Sequence, residues 1–276
     1  MNVYEIVTEK ILNQLRQGTV PWHQSWREGF TQNWESRRPY TGINLFLVPR
    51  GEYATFKQIE KAGGRIKKGE RAWLLVFWKM LDVEDENQEK KTKKIPYLRY
   101  YNVWEINTQC EGLESRWVDV KHNPIEEAEA IVTGYKNAPP IRKSGDAWYN
   151  PPKDVIGVPD INMFENAESY YSTLFHEMTH STGHPSRLSR FDINTACFRG
   201  EAYSKEELVA EMGAVFLSGH CGISNEKTFN NSASYVNAWL NTLKGDPKMV
   251  VCAASKAQMA VNHILGGKNN ETREDD

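Results

Sequence analysis

The 276-residue sequence holds only four cysteines, Cys110, Cys197, Cys221 and Cys252, scattered without a C-x-x-C pair. That spacing argues against a zinc ribbon, a dithiol redox motif and a disulfide framework, and leaves the four as reduced small residues of the interior. Long apolar runs are also missing. Stretches such as Trp73–Trp78 and Val209–Leu217 fall far short of the roughly 20 residues that a membrane span needs. The first ten residues carry Glu5 and Glu9 and no apolar core segment, unlike a signal peptide. These absences lead to the expectation of a soluble cytoplasmic protein with no membrane partner.

What is present argues against disorder, because 39% hydrophobic and 11% aromatic residues are ample for a core. The net charge of −2 conceals an asymmetry. Residues 1–123 hold 20 Lys and Arg against 16 Asp and Glu, a net of +4, whereas the remainder holds 14 against 20, a net of −6. Seven of the nine tryptophans, Trp22, Trp26, Trp34, Trp73, Trp78, Trp104 and Trp117, fall in the first part. Halves of such different chemistry predict two domains, residues 1–122 and 123–276.

Apolar residues at helical spacing from Val3 to Leu15 predict an amphipathic helix stopped by Gly18 and Pro21. Residues 22–39 read as a long ordered loop, and Asn44–Val48 as a short helix or strand. A helix capped by Thr55 is expected over Phe56–Ala62, then strands at Ala72–Lys79 and Tyr97–Ile106, with the charged run Asp82–Lys94 as a solvated excursion. The first part is thus a small α+β module. In the second part, helices are expected at Ile125–Asn137, Asn166–Ser181, Lys205–Ser218 (capped by Ser204), Ala233–Leu243 and Met249–Leu265. A strand pair, Ala147–Tyr149 and Val155–Val158, precedes the second of these helices.

The sharpest local signal is His176-Glu177-Met178-Thr179-His180. On a helix, positions i and i+4 share a face, so both imidazoles can reach one ion, and Glu177 can serve as general base toward a water. Zinc, or another divalent transition metal, is the expected cofactor of a metallopeptidase-type site. The third ligand is open on sequence alone. A three-histidine site would need His at position 186, where Ser186 stands, with His184 nearby. Otherwise an acid on the following helix completes the site, and Glu211 is preferred over Glu207 because it lies deeper in the stripe of Ala210, Ala214 and Val215. Tyr170, Tyr171 and Tyr203 are candidate hydrogen-bond donors to a transition state, although packing is the commoner role. His23, His122, His220 and His263 read as structural.

The first part combines positive charge with aromatic rings, the two ingredients with which proteins hold single strands without reading sequence. Candidate contacts are Trp22, Trp26, Trp34, Arg37, Arg38, Tyr40, Lys67, Lys68, Arg71 and the Lys90–Lys94 run.

Several blocks in order resemble the antirestriction proteins of the ArdC type carried by conjugative plasmids. They are Gly18-Thr-Val-Pro-Trp22, Arg38-Pro-Tyr-Thr-Gly-Ile-Asn44, Tyr53-Ala-Thr-Phe56, Gly63-Gly-Arg-Ile-Lys-Lys-Gly-Glu70, the H-E-x-x-H segment, Gly183-His-Pro-Ser-Arg-Leu188 and Glu206-Glu-Leu-Val-Ala-Glu211. The resemblance covers nearly the whole chain. It implies a single-stranded-DNA-binding module, shared with TraC-like plasmid primases, followed by a mainly helical zincin-like metallopeptidase domain with a short antiparallel sheet, α+β overall. It implies His176, His180 and Glu211 as metal ligands and Glu177 as the catalytic residue. The implied partners are single-stranded DNA and a protein substrate, for example in the host restriction machinery, and the implied role is protection of incoming DNA. The competing expectation is a protein that coats single strands and keeps a structural or vestigial metal site.

Overall fold

The computed structural model describes residues 1–23, 31–84, 92–117, 123–190, 201–223 and 233–267. The contacts divide the chain into two compact units. The first holds Met1–Val7 and Thr31–Trp117; the second holds the described parts of Thr8–Phe30 and Val118–Asn269. Helix α1 (Val3–Arg16) contributes its first residues to one unit and the rest to the other. Its start is fixed by reciprocal capping, since the Glu5 backbone N–H donates to Asn2 Oδ1 and the Asn2 backbone N–H to the Glu5 carboxylate.

The first unit contains β1 (Gln32–Asn33), α2 (Asn44–Leu47), β2 (Glu52–Ala54), α3 (Phe56–Lys61), β3 (Arg65–Ile66), β4 (Trp73–Glu84), β5 (Thr92–Glu105), α4 (Ile106–Gln109) and β6 (Cys110–Glu111). A four-stranded sheet runs β1-β2-β5-β4, and β3 pairs with β6. Thr55 caps α3 as expected, in a capping box with Gln58. The core gathers Trp34, Ala54, Ile59, Ile106 and Cys110. A buried acid, Glu52, is accommodated because Arg37, Gln32, Ser115 and the backbone N–H of Arg116 all donate to it. Strands β4 and β5 form an antiparallel ribbon longer than the alternating segments suggest, pairing from Trp73 with Val103 out to Glu84 with Thr92. The expected solvated excursion at 82–94 is therefore strand backbone at both ends, and its middle lies outside the described residues.

The second unit contains α5 (Pro124–Gly134), β7 (Ile141–Lys143), β8 (Trp148–Asn150), β9 (Val155–Val158), α6 (Ala167–Ser181), α7 (Glu201–Cys221), α8 (Ala233–Gly245) and α9 (Met249–Ile264). The expected strand pair is present as β8 and β9, antiparallel, and β7 adds to the other side of β9 in parallel. Gly157 on β9 is required by the ring of Trp148, whose nearest atom would lie 2.3 Å from an added Cβ. Helix α7 is enclosed by neighbours along Leu208–Leu217, packing on both α6 and α9. Its described part already runs from Glu201, so Ser204 lies inside the helix rather than at its cap.

Residues 8–23 join this unit through specific bonds. The Thr8 hydroxyl donates to the Pro247 carbonyl (2.7 Å), and Trp22, in a short 3-10 turn over Pro21–His23, donates its indole N–H to Glu211 (2.9 Å). No helix among the described residues is long and apolar enough to cross a membrane.

Candidate metal centre

Helix α6 carries His176, Glu177 and His180. It starts where the Asn166 side chain accepts the Ser169 backbone N–H (2.8 Å), and its last carbonyls are taken up by two arginines of the loop that follows. Arg187 Nε donates to Ser181 O (2.7 Å), and Arg190 donates to Thr179 O (2.9 Å) and to the Thr182 hydroxyl (2.7 Å). Cations at a helix C-terminus also oppose the negative end of its dipole. Arg187 is held in turn by Asp154, by the Tyr149 hydroxyl (3.2 Å) and by the Asn137 carbonyl (3.2 Å).

One turn of α6 brings the two imidazoles face to edge with their Nε2 atoms 3.1 Å apart. Helix α7 approaches closely enough to bring acids to them because it has Gly213 where it crosses α6. An added Cβ there would lie 2.4 Å from the Thr179 methyl. The carboxylate that meets the histidines is that of Glu207, 3.6 Å from His176 Nε2 and 3.2 Å from His180 Nε2. Among the described residues, His176, His180 and Glu207 form the group whose donor atoms lie within 4.8 Å of one another. Two imidazole nitrogens and one carboxylate oxygen converging on one point match the donor set of zincin-type ions, so these residues fit a divalent metal.

This arrangement differs from the expectation at the third position. Glu211 sits one turn further along α7, but its carboxylate accepts from the Tyr235 hydroxyl of α8 and from Trp22. The buried acid thus finds hydrogen-bond partners in an aromatic pair. Burial raises the Glu211 pKa, partly offset by those two donors. His184 bonds Ser186 (2.7 Å) and lies outside the group.

Around the donors the electrostatics are graded. Glu177 is buried, with 7% exposure, and burial raises its pKa above the usual carboxylate range. The two histidines and the backbone N–H of Tyr149 on β8 act in the opposite direction. Burial alone would also raise Glu207 and lower His180, but Glu206 and Glu207 beside His180 raise its pKa, and His176 and His180 beside Glu207 lower that of the acid. His180 has a second acid at its other nitrogen, Glu206, 3.5 Å from Nδ1. Arg190 grips Glu206 with two nitrogens at 2.7 and 3.1 Å. Neither Glu206 nor Arg190 is signalled by the motif; the E-E pair at 206–207 and the loop arginine are the only traces of them in the sequence. Tyr170 and Tyr171 pack against each other, and the Tyr171 hydroxyl donates to Glu129 (3.2 Å), the commoner role. The side chains of Tyr203 and His23, and all of His122, lie outside the described residues.

The residues expected to touch DNA are dispersed. Trp22 is fully buried in the second unit, Trp34 is 5% exposed with its indole N–H on the Glu114 carbonyl, and Tyr40 is buried. None presents an open ring face. Arg37 is committed to Glu52 and the Arg116 carbonyl. Lys67 donates to the Thr108 carbonyl (2.8 Å), while Arg38, Lys68 and Arg71 are exposed. Trp26 and Lys90–Lys91 lie outside the described residues.

A histidine pair on one helix completed by an acid from the next defines a zincin-like centre, and the family model described as a zincin-like metallopeptidase matches residues 126–256. The model for the N-terminal domain of the anti-restriction factor ArdC matches residues 1–104. The Mn(II)-bound and metal-free crystal structures of the antirestriction ArdC protein from plasmid R388 superpose with TM-scores of 0.77 and 0.75 at 31% identity. The matches cover 99% and 98% of this chain and all of that one. The chain belongs to the ArdC antirestriction family. Two Escherichia coli proteins named DNA primase TraC are 29% and 30% identical over 98% of this chain. The chain spans 28% and 20% of the length of those relatives.

Proposed function

We propose that this chain protects incoming DNA from restriction by binding single-stranded DNA through its first unit and by a zinc-dependent peptidase centre in its second. His176, His180 and Glu207 are the ligands and Glu177 is the general base. The observation that carries the catalytic part is Glu177 itself. A site that merely cross-linked two helices would have no use for a fourth group, a buried carboxyl, beside the three donors. An ion held there supplies Lewis acidity and lowers the pKa of water. Glu177 accepts a proton from the water that attacks a peptide carbonyl carbon. It returns that proton to the amine as the C–N bond breaks.

The test compares three glutamines. Glu207→Gln is expected to lower metal affinity by tenfold or more, measured by chelator competition with total metal analysis. Glu211→Gln should retain the ion, since an amide oxygen still accepts from Tyr235 and Trp22. The reverse result would remove Glu207 from the site, and manganese in place of zinc in the native protein would correct the metal. Glu177→Gln should keep its metal and DNA affinity yet lose protection from restriction, the loss of a general base being worth about 10²- to 10⁴-fold in rate. Protection that persists in this variant would leave DNA coating as the function.

A further inference from the structure

The β4–β5 ribbon of the first unit has one face left open at its outer half. Side chains alternate along each strand, so positions 77, 79 and 81 share a face with their partners 99, 97 and 95. Nearer the root that face is closed, with Leu75 fully buried and Tyr101 edge-on to Phe77 at 5.7 Å. Beyond it, Phe77 is 41% exposed and Tyr97 52%, with Leu81 and Ile95 also exposed. The two cations of the face, Lys79 and Arg99, are exposed and make no ion pair or side-chain hydrogen bond among the described residues. The six positions include no acid.

The register makes this a checkerboard. Arg99 lies opposite Phe77, and Lys79 lies opposite Tyr97. Each ring therefore has an unpaired cation as its cross-strand neighbour, about 5 Å away between backbones. Most of the reverse face is used internally, with Val76 and Leu98 buried and Trp78 against Tyr4 at 6.2 Å; its exposed Tyr100 lies opposite Val76, with no cation across from it. The free edge of β4 is blocked at Val76, whose N–H and C=O are both taken by the Asn44 side-chain amide at 2.8 Å. A partner adding a strand to that edge would meet this block, which leaves the face as the surface on offer.

We propose that this face, Phe77 and Tyr97 with Lys79 and Arg99, is the platform on which single-stranded DNA lies, bases on the rings and phosphates toward the opposed cations. The proposal rests on the strand-binding reading above and moves the contact away from the buried Trp22, Trp34 and Tyr40. Rings that stack without reading base edges tolerate any sequence, and the two cations opposite them supply the salt-dependent part of the affinity.

The experiment is fluorescence anisotropy of a labelled thymidine oligonucleotide with the full chain across a salt series. Phe77→Ala and Tyr97→Ala should each weaken binding about tenfold, while Tyr97→Phe, which keeps the ring, and Phe56→Ala, an exposed ring off this face, should bind as wild type. The double change Lys79→Gln, Arg99→Gln should flatten the slope of log affinity against log salt by about 1.4, the loss of two single-strand phosphate contacts. Thermal melting checks that each variant folds. Wild-type binding that all four face substitutions leave unchanged overturns the platform and leaves the strand-binding reading intact. A wild-type chain that binds no single strand at low salt overturns both. Equal competition by duplex DNA, tighter binding of single-stranded RNA, or a dimer dispersed by Phe77→Ala with DNA affinity unaltered each overturns the assignment to single-stranded DNA.

Discussion

At His180 two carboxylates reach one imidazole from opposite sides, Glu207 at Nε2 and Glu206 at Nδ1. In the proposed centre Glu206 would orient the ring from its Nδ1 side and leave Nε2 for the ion, and Arg190 holds Glu206 in place. Glu206→Gln should therefore lower metal affinity by about 10- to 100-fold without removing a ligand; a titration that matched wild type would remove the orienting role. Much of this centre was legible in advance, because a helix imposes the i, i+4 geometry of His176 and His180 whatever surrounds it. The choice between Glu207 and Glu211 was not. Both lie on one face of α7, and what separates them is where Trp22 and Tyr235 arrive from distant parts of the chain. The same limit hid the fate of the aromatic residues. Composition gives rings and charge, but only packing decides that Trp34 and Tyr40 are core and Phe77 and Tyr97 are surface.

Helices and strands were read best where period and punctuation agreed. Asn166 before α6, Thr55 before α3 and Gly18 after α1 all stand where local chemistry requires them. Strand β7 left no such mark, being three residues, all exposed, with no alternation. The crossing of α6 and α7 rests on a single missing side chain, that of Gly213. Gly213→Ala is expected to push α7 off Thr179, costing about 1–3 kcal/mol of stability and weakening the ion through displacement of Glu207. Chemical denaturation and metal titration of the same variant would show both effects, and an unperturbed variant would mean that the helices have room to spare. Gly157→Ala, against Trp148, tests the β8–β9 pair in the same way.

For the molecule as a whole, acid should act first through ties such as Asp154 to Arg187. Burial raises the Asp154 pKa, but the Arg187 guanidinium and the Tyr149 hydroxyl more than reverse that, so the folded value is depressed. A depressed carboxylate stabilises fully above its unfolded value, near 3.9, and the contribution disappears as pH falls through the folded one. Asp154→Asn tolerates the positive φ at this position and leaves Arg187 without its charge partner. It should lose about 3 kcal/mol at pH 7, with the deficit shrinking below about pH 4; a deficit independent of pH would assign it to geometry. Removal of the proposed ion by a chelator should lower the melting temperature, the more so the tighter the ion is held, while affinity for single-stranded DNA stays as it was. A parallel loss of DNA binding would contradict the proposal that strand binding and peptide hydrolysis belong to different units.

The bond from Trp22 to Glu211 joins residues 189 positions apart. On a ribosome adding about 5–20 residues per second, the indole leaves the tunnel roughly 10–40 s before its acceptor does. Trp22 must therefore wait through the synthesis of the entire sheet unit before α7 exists to receive it. Helix α7, which carries Glu207, is made after α6, so the histidine pair must likewise wait for the acid that meets it.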